Sequence, residues 1–96
     1  MMILVTYDVS VKDEAGPRRL RRLSKLCLVY GQRVQYSVFE IEVDMAQWTR
    51  LKHDLIKVMD ESVDSLRIYY LGNNWERRVE HIGAKAVLDL NGLLLL

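Results

Sequence analysis

Residues 2–7 read Met2, Ile3, Leu4, Val5, Thr6 and Tyr7, and their apolar character falls on both sides of the strand alternation. Ile3, Val5 and Tyr7 point one way and Met2, Leu4 and Thr6 the other. A strand of this kind is stable only when both of its faces are covered, which places it in the middle of a layered domain. The run ends in Asp8. A carboxylate where a buried strand runs out sits in a cleft rather than in the core, so Asp8 is the residue to explain.

The rest of the chain supplies the partners of that strand. A polar loop over residues 9–16 leads to Gly16-Pro17, with proline at the opening of a helix, where no backbone donor is lost. Leu20, Leu23, Leu26, Cys27 and Tyr30 recur at helical spacing, and Gly31 is expected to stop the helix as a C-cap. Residues 33–43 alternate too regularly for a loop; two strands joined tightly near residues 35–37 are favoured over one bent strand. In the second part Phe39, Ile41 and Val43 share a face. Asp44 with Gln47 has the form of a capping box, and Trp48, Leu51, Leu55, Val58 and Met59 make the apolar stripe of a second helix. Residues 64–71 form a last alternating strand, closed by a turn at Gly72-Asn73-Asn74.

The predicted order is β-α-β-β-α-β, an α+β ferredoxin-like sandwich in which two helices cover one face of a four-stranded antiparallel sheet. The domain is assigned to residues 1–72. Residues 73–96 form a C-terminal tail ending in Leu93-Leu94-Leu95-Leu96, suited to adding an edge strand to a sheet of its own chain or of a second copy. Because the helices leave one sheet face to be covered, a two-fold homodimer is expected.

At 96 residues the chain is long enough to fold without disulfides or structural metal, and its one cysteine, Cys27, falls on the buried stripe of the first helix. A lone cysteine fits a reducing compartment, no apolar run is long enough to span a membrane, and the start carries no charged leader; the expectation is a cytoplasmic protein. The net charge of +1 hides a segregation. Arg18, Arg19, Arg21, Arg22, Lys25 and Arg33 lie in a stretch without acids, whereas Asp54, Asp60, Glu61 and Asp64 cluster later. Arginine forks match phosphate oxygens, which points these side chains toward nucleic acid; a solvated helix face explains the same pattern.

Tyr7-Asp8, the arginine-rich first helix, Gly31-Gln32-Arg33-Val34-Gln35-Tyr36-Ser37-Val38-Phe39-Glu40 and Leu66-Arg67-Ile68-Tyr69 together resemble the small CRISPR-associated Cas-two family. Glu80-His81-Ile82-Gly83 resembles one subgroup of it. The resemblance implies a ferredoxin-like homodimer of spacer acquisition that bridges copies of a CRISPR-associated integrase subunit. It also implies a metal-dependent endonuclease acting on double-stranded DNA or on RNA. Asp8 takes the metal-binding role, with Tyr7, Arg33 and Phe39 as its site neighbours and the first-helix arginines as a group contacting substrate. The loop over residues 9–16 is longer than in some members.

Apart from any family, one carboxylate is too little to hold a divalent ion at a phosphodiester. Asp8 and its mate across a two-fold axis supply two, and Mg²⁺, or Mn²⁺, relieves their repulsion. The main chain near Val9 and Ser10, or the Ser10 hydroxyl, is in sequence range to complete the shell. His53 and His81 lack zinc-ligand spacing. Two other readings use the same residues: a DNA-binding scaffold without catalysis, and an RNA-recognition module or toxin-like ribonuclease on the same fold. The RNA-recognition signature of a basic residue, glycine and an aromatic is absent from Ser37-Val38-Phe39-Glu40.

Overall fold

The computed structural model describes residues 1–10, 12–71 and 79–84. The elements are β1 (Met2–Asp8), α1 (Gly16–Tyr30), β2 (Gly31–Gln35), β3 (Val38–Glu42), α2 (Met45–Val58), β4 (Ser65–Tyr70) and β5 (Val79–Gly83). They form a five-stranded sheet in the order β2-β3-β1-β4-β5, with every neighbouring pair antiparallel. Removing β5 leaves the expected ferredoxin-like order, with β1 inside.

Register explains the faces. Val5 pairs with Phe39 on one side and Ile68 on the other, and all three are fully buried with Ile3, Ile41 and Leu66. Leu23 and Cys27 of α1 and Trp48, Leu51 and Leu55 of α2 join the same core, so both helices lie on the face of Ile3, Val5 and Tyr7. Leu4, Thr6 and Asp8 therefore project from the second face. Burial pushes the Cys27 thiol up to about 12, in keeping with a packing role.

The capping box forms as expected: Gln47 N donates to Asp44 Oδ1 at 2.7 Å and Asp44 N to Gln47 Oε1 at 2.9 Å. Residues 33–43 resolve into two strands joined at Tyr36 and Ser37, with a bulge between Arg33 and Gln35. Gly31 acts otherwise than expected. Its backbone is extended, at φ −166° and ψ −156°, and it begins β2 instead of capping α1 in the left-handed region. Glycine is required there by close approach, because a Cβ would lie 2.0 Å from the carbonyl oxygen of Glu40.

The tail contributes β5, which pairs with β4 of the same chain from Ser65 with Gly83 to Tyr69 with Val79. Its helix-side residue Glu80 is bound by Lys52 Nζ of α2 and by Tyr70 Oη at 2.8 Å, and Tyr70 Oη accepts from Trp48 Nε1 at 3.0 Å. Burial pushes the Glu80 carboxyl up, but these donors and the lysine charge outweigh it and hold the group below the ordinary glutamate value. The predicted turn at residues 72–74 and the edge strand at residues 93–96 lie outside the described residues.

Asp64 departs most from its expected place. Counted above as one of a later cluster of acids, it is fully buried. Its Oδ2 accepts from Arg19 Nε at 2.7 Å and from Asp60 N at 2.9 Å; its Oδ1 accepts from Ser10 N at 2.9 Å and from Arg19 Nη2 at 3.2 Å. Burial alone would raise the Asp64 carboxyl, yet these four hydrogen bonds and the guanidinium charge hold it below the ordinary aspartate value.

A depressed carboxyl stabilises the fold above its unfolded pKa and loses that contribution as pH falls through the folded value. Acid titration of the wild type should therefore show a stability loss below about pH 4 that is reduced in Asp64→Asn. Asp64→Ala, which strands a buried guanidinium, should cost about 3 kcal/mol or more in urea denaturation at neutral pH.

Candidate functional site

Alternation along β1 sends adjacent residues to opposite sides of the sheet, and this divides the expected site in two. Asp8 is exposed at the end of β1 on the second face, paired in register with Ser65 of β4. Tyr7 points to the helix side and is 4% exposed. Its Oη lies 2.5 Å from Ser24 Oγ, and its ring stacks on Phe39 with centroids 5.7 Å apart.

Phe39 and Arg33 join Tyr7 there. The Arg33 guanidinium lies over the Phe39 ring at 5.1 Å from the centroid and donates through Nη2 to Ser24 Oγ at 3.1 Å. Ser24 Oγ also donates to Leu20 O at 2.9 Å. Of the three motif residues, only Arg33 reaches solvent. Phe39 is fully buried and Tyr7 nearly so, and together with Ser24 they form the surface on which the Arg33 guanidinium rests. Ser24, which ties the three together, was not picked out from the sequence because a serine inside an arginine-rich helix carries no pattern of its own.

The arginines of α1 also divide. Arg18, Arg21, Arg22 and Lys25 are exposed and follow one another at spacings of i, i+3, i+4 and i+7, a single stripe on the helix surface. Arg19 is 9% exposed. Besides Asp64, its guanidinium contacts both oxygens of Asp13 at 3.3 Å and the Ser10 carbonyl at 3.4 Å. These acceptors raise its pKa, the Asp64 hydrogen bond foremost. Arg19 was expected to meet substrate with its neighbours; among the described residues its side chain is instead turned inward, onto Asp64, Asp13 and the Ser10 carbonyl.

Ser10 belongs to the same frame. Its N–H serves Asp64, its carbonyl serves Arg19, and its hydroxyl accepts from Lys12 N at 3.4 Å. The network thus fixes the loop that follows Asp8. Among the described residues no three His, Cys, Asp or Glu side chains gather as a metal-binding group. Asp8 is thus not part of such a group within the described residues of one chain.

On the second face, Thr6, Arg67 and His81 form one row across β1, β4 and β5. Arg67 is 8% exposed, with its guanidinium 5.5 Å from the Tyr69 ring centroid. Arg67 Nε and both ring nitrogens of His81 are buried without a hydrogen-bond partner among the described residues. Buried polar atoms in this state are rare in folded proteins and single this row out on the second face.

The family described as CRISPR associated protein Cas2 matches residues 1–79. The chain belongs to the Cas2 family. It is 58% identical over 96 residues to the CRISPR-associated endoribonuclease Cas2 of Nitratidesulfovibrio vulgaris, covering all of this chain and 94% of that one. It is 54% identical over 95 residues to the CRISPR-associated endonuclease Cas2 of Halalkalibacterium halodurans, covering 99% of each. A crystal structure of Streptococcus pyogenes Cas2 superimposes with a TM-score of 0.71 at 56% identity, over 83% of this chain and 96% of that one. The Cas2 match bears out the resemblance carried by Tyr7-Asp8 and the segment around Phe39, and the solved fold agrees with the α+β sheet described above. No described helix is long and apolar enough to cross a membrane.

The division of the arginines is open to a direct check. Arg22→Ala should leave the thermal midpoint close to that of the wild type, as exposed substitutions do, to within about 0.5 kcal/mol. Arg19→Ala should lower it clearly and leave the loop before α1 open to limited proteolysis.

Proposed function

We propose that this Cas2 protein is a metal-dependent endonuclease of CRISPR spacer acquisition, working as a homodimer in the cytoplasm with Asp8 of both copies holding Mg²⁺ or Mn²⁺ at the two-fold axis. The observation that carries the reading is the exposed Asp8 carboxylate, held at a fixed strand end by the Arg19–Asp64 frame. It is supported by relatives named endoribonuclease and endonuclease.

The second copy has two supports. Among the described residues a single chain gathers no group of three metal-ligating side chains at Asp8. The second sheet face carries apolar Leu4, Val38 and Tyr69 together with Arg67 Nε and His81, which have no hydrogen-bond partner among the described residues, while Glu40 and Glu42 lie on the same face along β3. A copy turned about an axis parallel to β1 sets acidic β3 against the basic row of the other chain.

When bound, the ion supplies a Lewis acid at the scissile phosphate and a more acidic water as nucleophile. The protein's own contribution is positional. Asp8 brings negative charge to the axis, the loop network keeps it from swinging inward, and the stripe of Arg18, Arg21, Arg22 and Lys25 with Arg33 holds the phosphate backbone. Double-stranded DNA is the favoured substrate and RNA the alternative.

One observation favours a second reading. The basic stripe lies on α1, whereas Asp8 belongs to the other side of the sheet, so DNA can be held without being presented to Asp8. On that account the dimer is a scaffold that bridges integrase subunits.

Cleavage of short double-stranded DNA and of single-stranded RNA, with Mg²⁺ or Mn²⁺ and with chelator, separates the two. The nuclease reading expects metal-dependent cutting that falls by orders of magnitude in Asp8→Asn while binding persists. Equal or absent cutting in both proteins leaves the scaffold. In either case Arg21→Ala should lower the slope of log affinity on log salt by about 0.9 for duplex DNA.

A further inference from the structure

Between α1 and the β2–β3 turn lies a groove of about 310 Å³, at the small end of the roughly 300–1,000 Å³ found for ligand clefts. Arg21, Lys25 and Arg33 line it, and among the described residues no carboxylate does. One wall is Leu20 and another is Tyr36 at the turn. Tyr36 is 82% exposed, the most exposed large apolar side chain among the described residues.

The cations here are not equally mobile. Arg33 is seated on Phe39 and tied by Nη2 to Ser24, which is itself held by Tyr7 and by the Leu20 carbonyl. A buried platform thus fixes one guanidinium in advance, and Nη2 is its one atom with a hydrogen bond among the described residues. Preset phosphate donors beside an exposed ring match a nucleotide: phosphate oxygens to the cations, base to the ring. A paired base is already stacked on both sides and cannot offer its face to Tyr36, whereas an unpaired one can.

Building on the nucleic-acid reading above, we propose that this groove is a site for one unpaired nucleotide, with Tyr36 stacking on the base and Arg21, Lys25 and Arg33 holding the adjoining phosphate. The site lies on the helix side of the sheet, away from Asp8, so it holds a nucleotide flanking the point of reaction. It gives the protein a preference for a duplex that ends in a short single strand over a blunt one.

The test is fluorescence anisotropy with a blunt DNA duplex and the same duplex carrying a short overhang, for wild type, Tyr36→Ala and Tyr36→Phe. A second probe carries 2-aminopurine at the first unpaired position. Tyr36 is exposed, so both variants should keep the wild-type thermal midpoint. The expected result is tighter binding of the overhang by the wild type, about tenfold, with that preference and the 2-aminopurine quenching lost in Tyr36→Ala and kept in Tyr36→Phe. Arg33→Gln should weaken the overhang complex and lower its salt slope by about 0.7–0.9. Equal affinity for both duplexes in the wild type, or an unchanged preference in Tyr36→Ala, overturns the proposal while leaving the nucleic-acid reading in place. Failure to bind either duplex overturns both.

Discussion

A buried guanidinium and a buried carboxylate, Arg19 and Asp64, join the first helix to the sheet at the point where three strand ends meet. Asp64 collects the loop after β1 through Ser10, the end of the α2 segment through Asp60, and α1 through Arg19, while its own carbonyl accepts from Ala84 N after β5. Each of its oxygens is satisfied by two donors, which is what allows a charge to lie at zero exposure. The loop following Asp8 has its course set by this pair. The exposed stripe on α1 depends on it as well, because Arg19 fixes how the helix is turned against the sheet.

The division of labour between sheet faces follows from a two-residue period. Tyr7 and Asp8 are neighbours in sequence and are directed to opposite sides of β1. One faces a packed aromatic and serine cluster whose output is a single oriented arginine; the other stands at the edge of a surface with buried polar atoms that have no hydrogen-bond partner among the described residues. Residues that resemble one motif in the linear sequence therefore serve two surfaces of the folded protein.

Much of the architecture was legible in the sequence because it rests on local regularities. The alternation of Phe39, Ile41 and Val43, the helical spacing from Leu20 to Tyr30 and the Asp44–Gln47 box each encode an element within a few residues, and the structure contains them. What was not legible depends on distant partners. Arg19 is indistinguishable from Arg18 or Arg21 by type, and only a carboxylate 45 positions away makes it internal. Asp64 reads as one acid of a later cluster until Arg19, Ser10 and Asp60 converge on it. Gly31 reads as a helix stop because its neighbour, the Glu40 carbonyl, is brought there by hairpin pairing. Tyr7 and Phe39 were identified as functional residues, and their support role became visible only with their burial.

Gly83 gives the fifth strand a property that hydrogen bonding alone does not. Its φ is +124°, and a Cβ there would sit 2.0 Å from the carbonyl oxygen of Asp64. Sliding β5 by one residue along β4 would bring Ile82 or Ala84 to that carbonyl and also carry His81 to the helix side, so a slipped strand meets a steric stop before it can form a ladder. The glycine works as a notch that admits one alignment. Because the notch is cut by the strand and filled by β4, it selects the same alignment whichever copy of the chain supplies the strand.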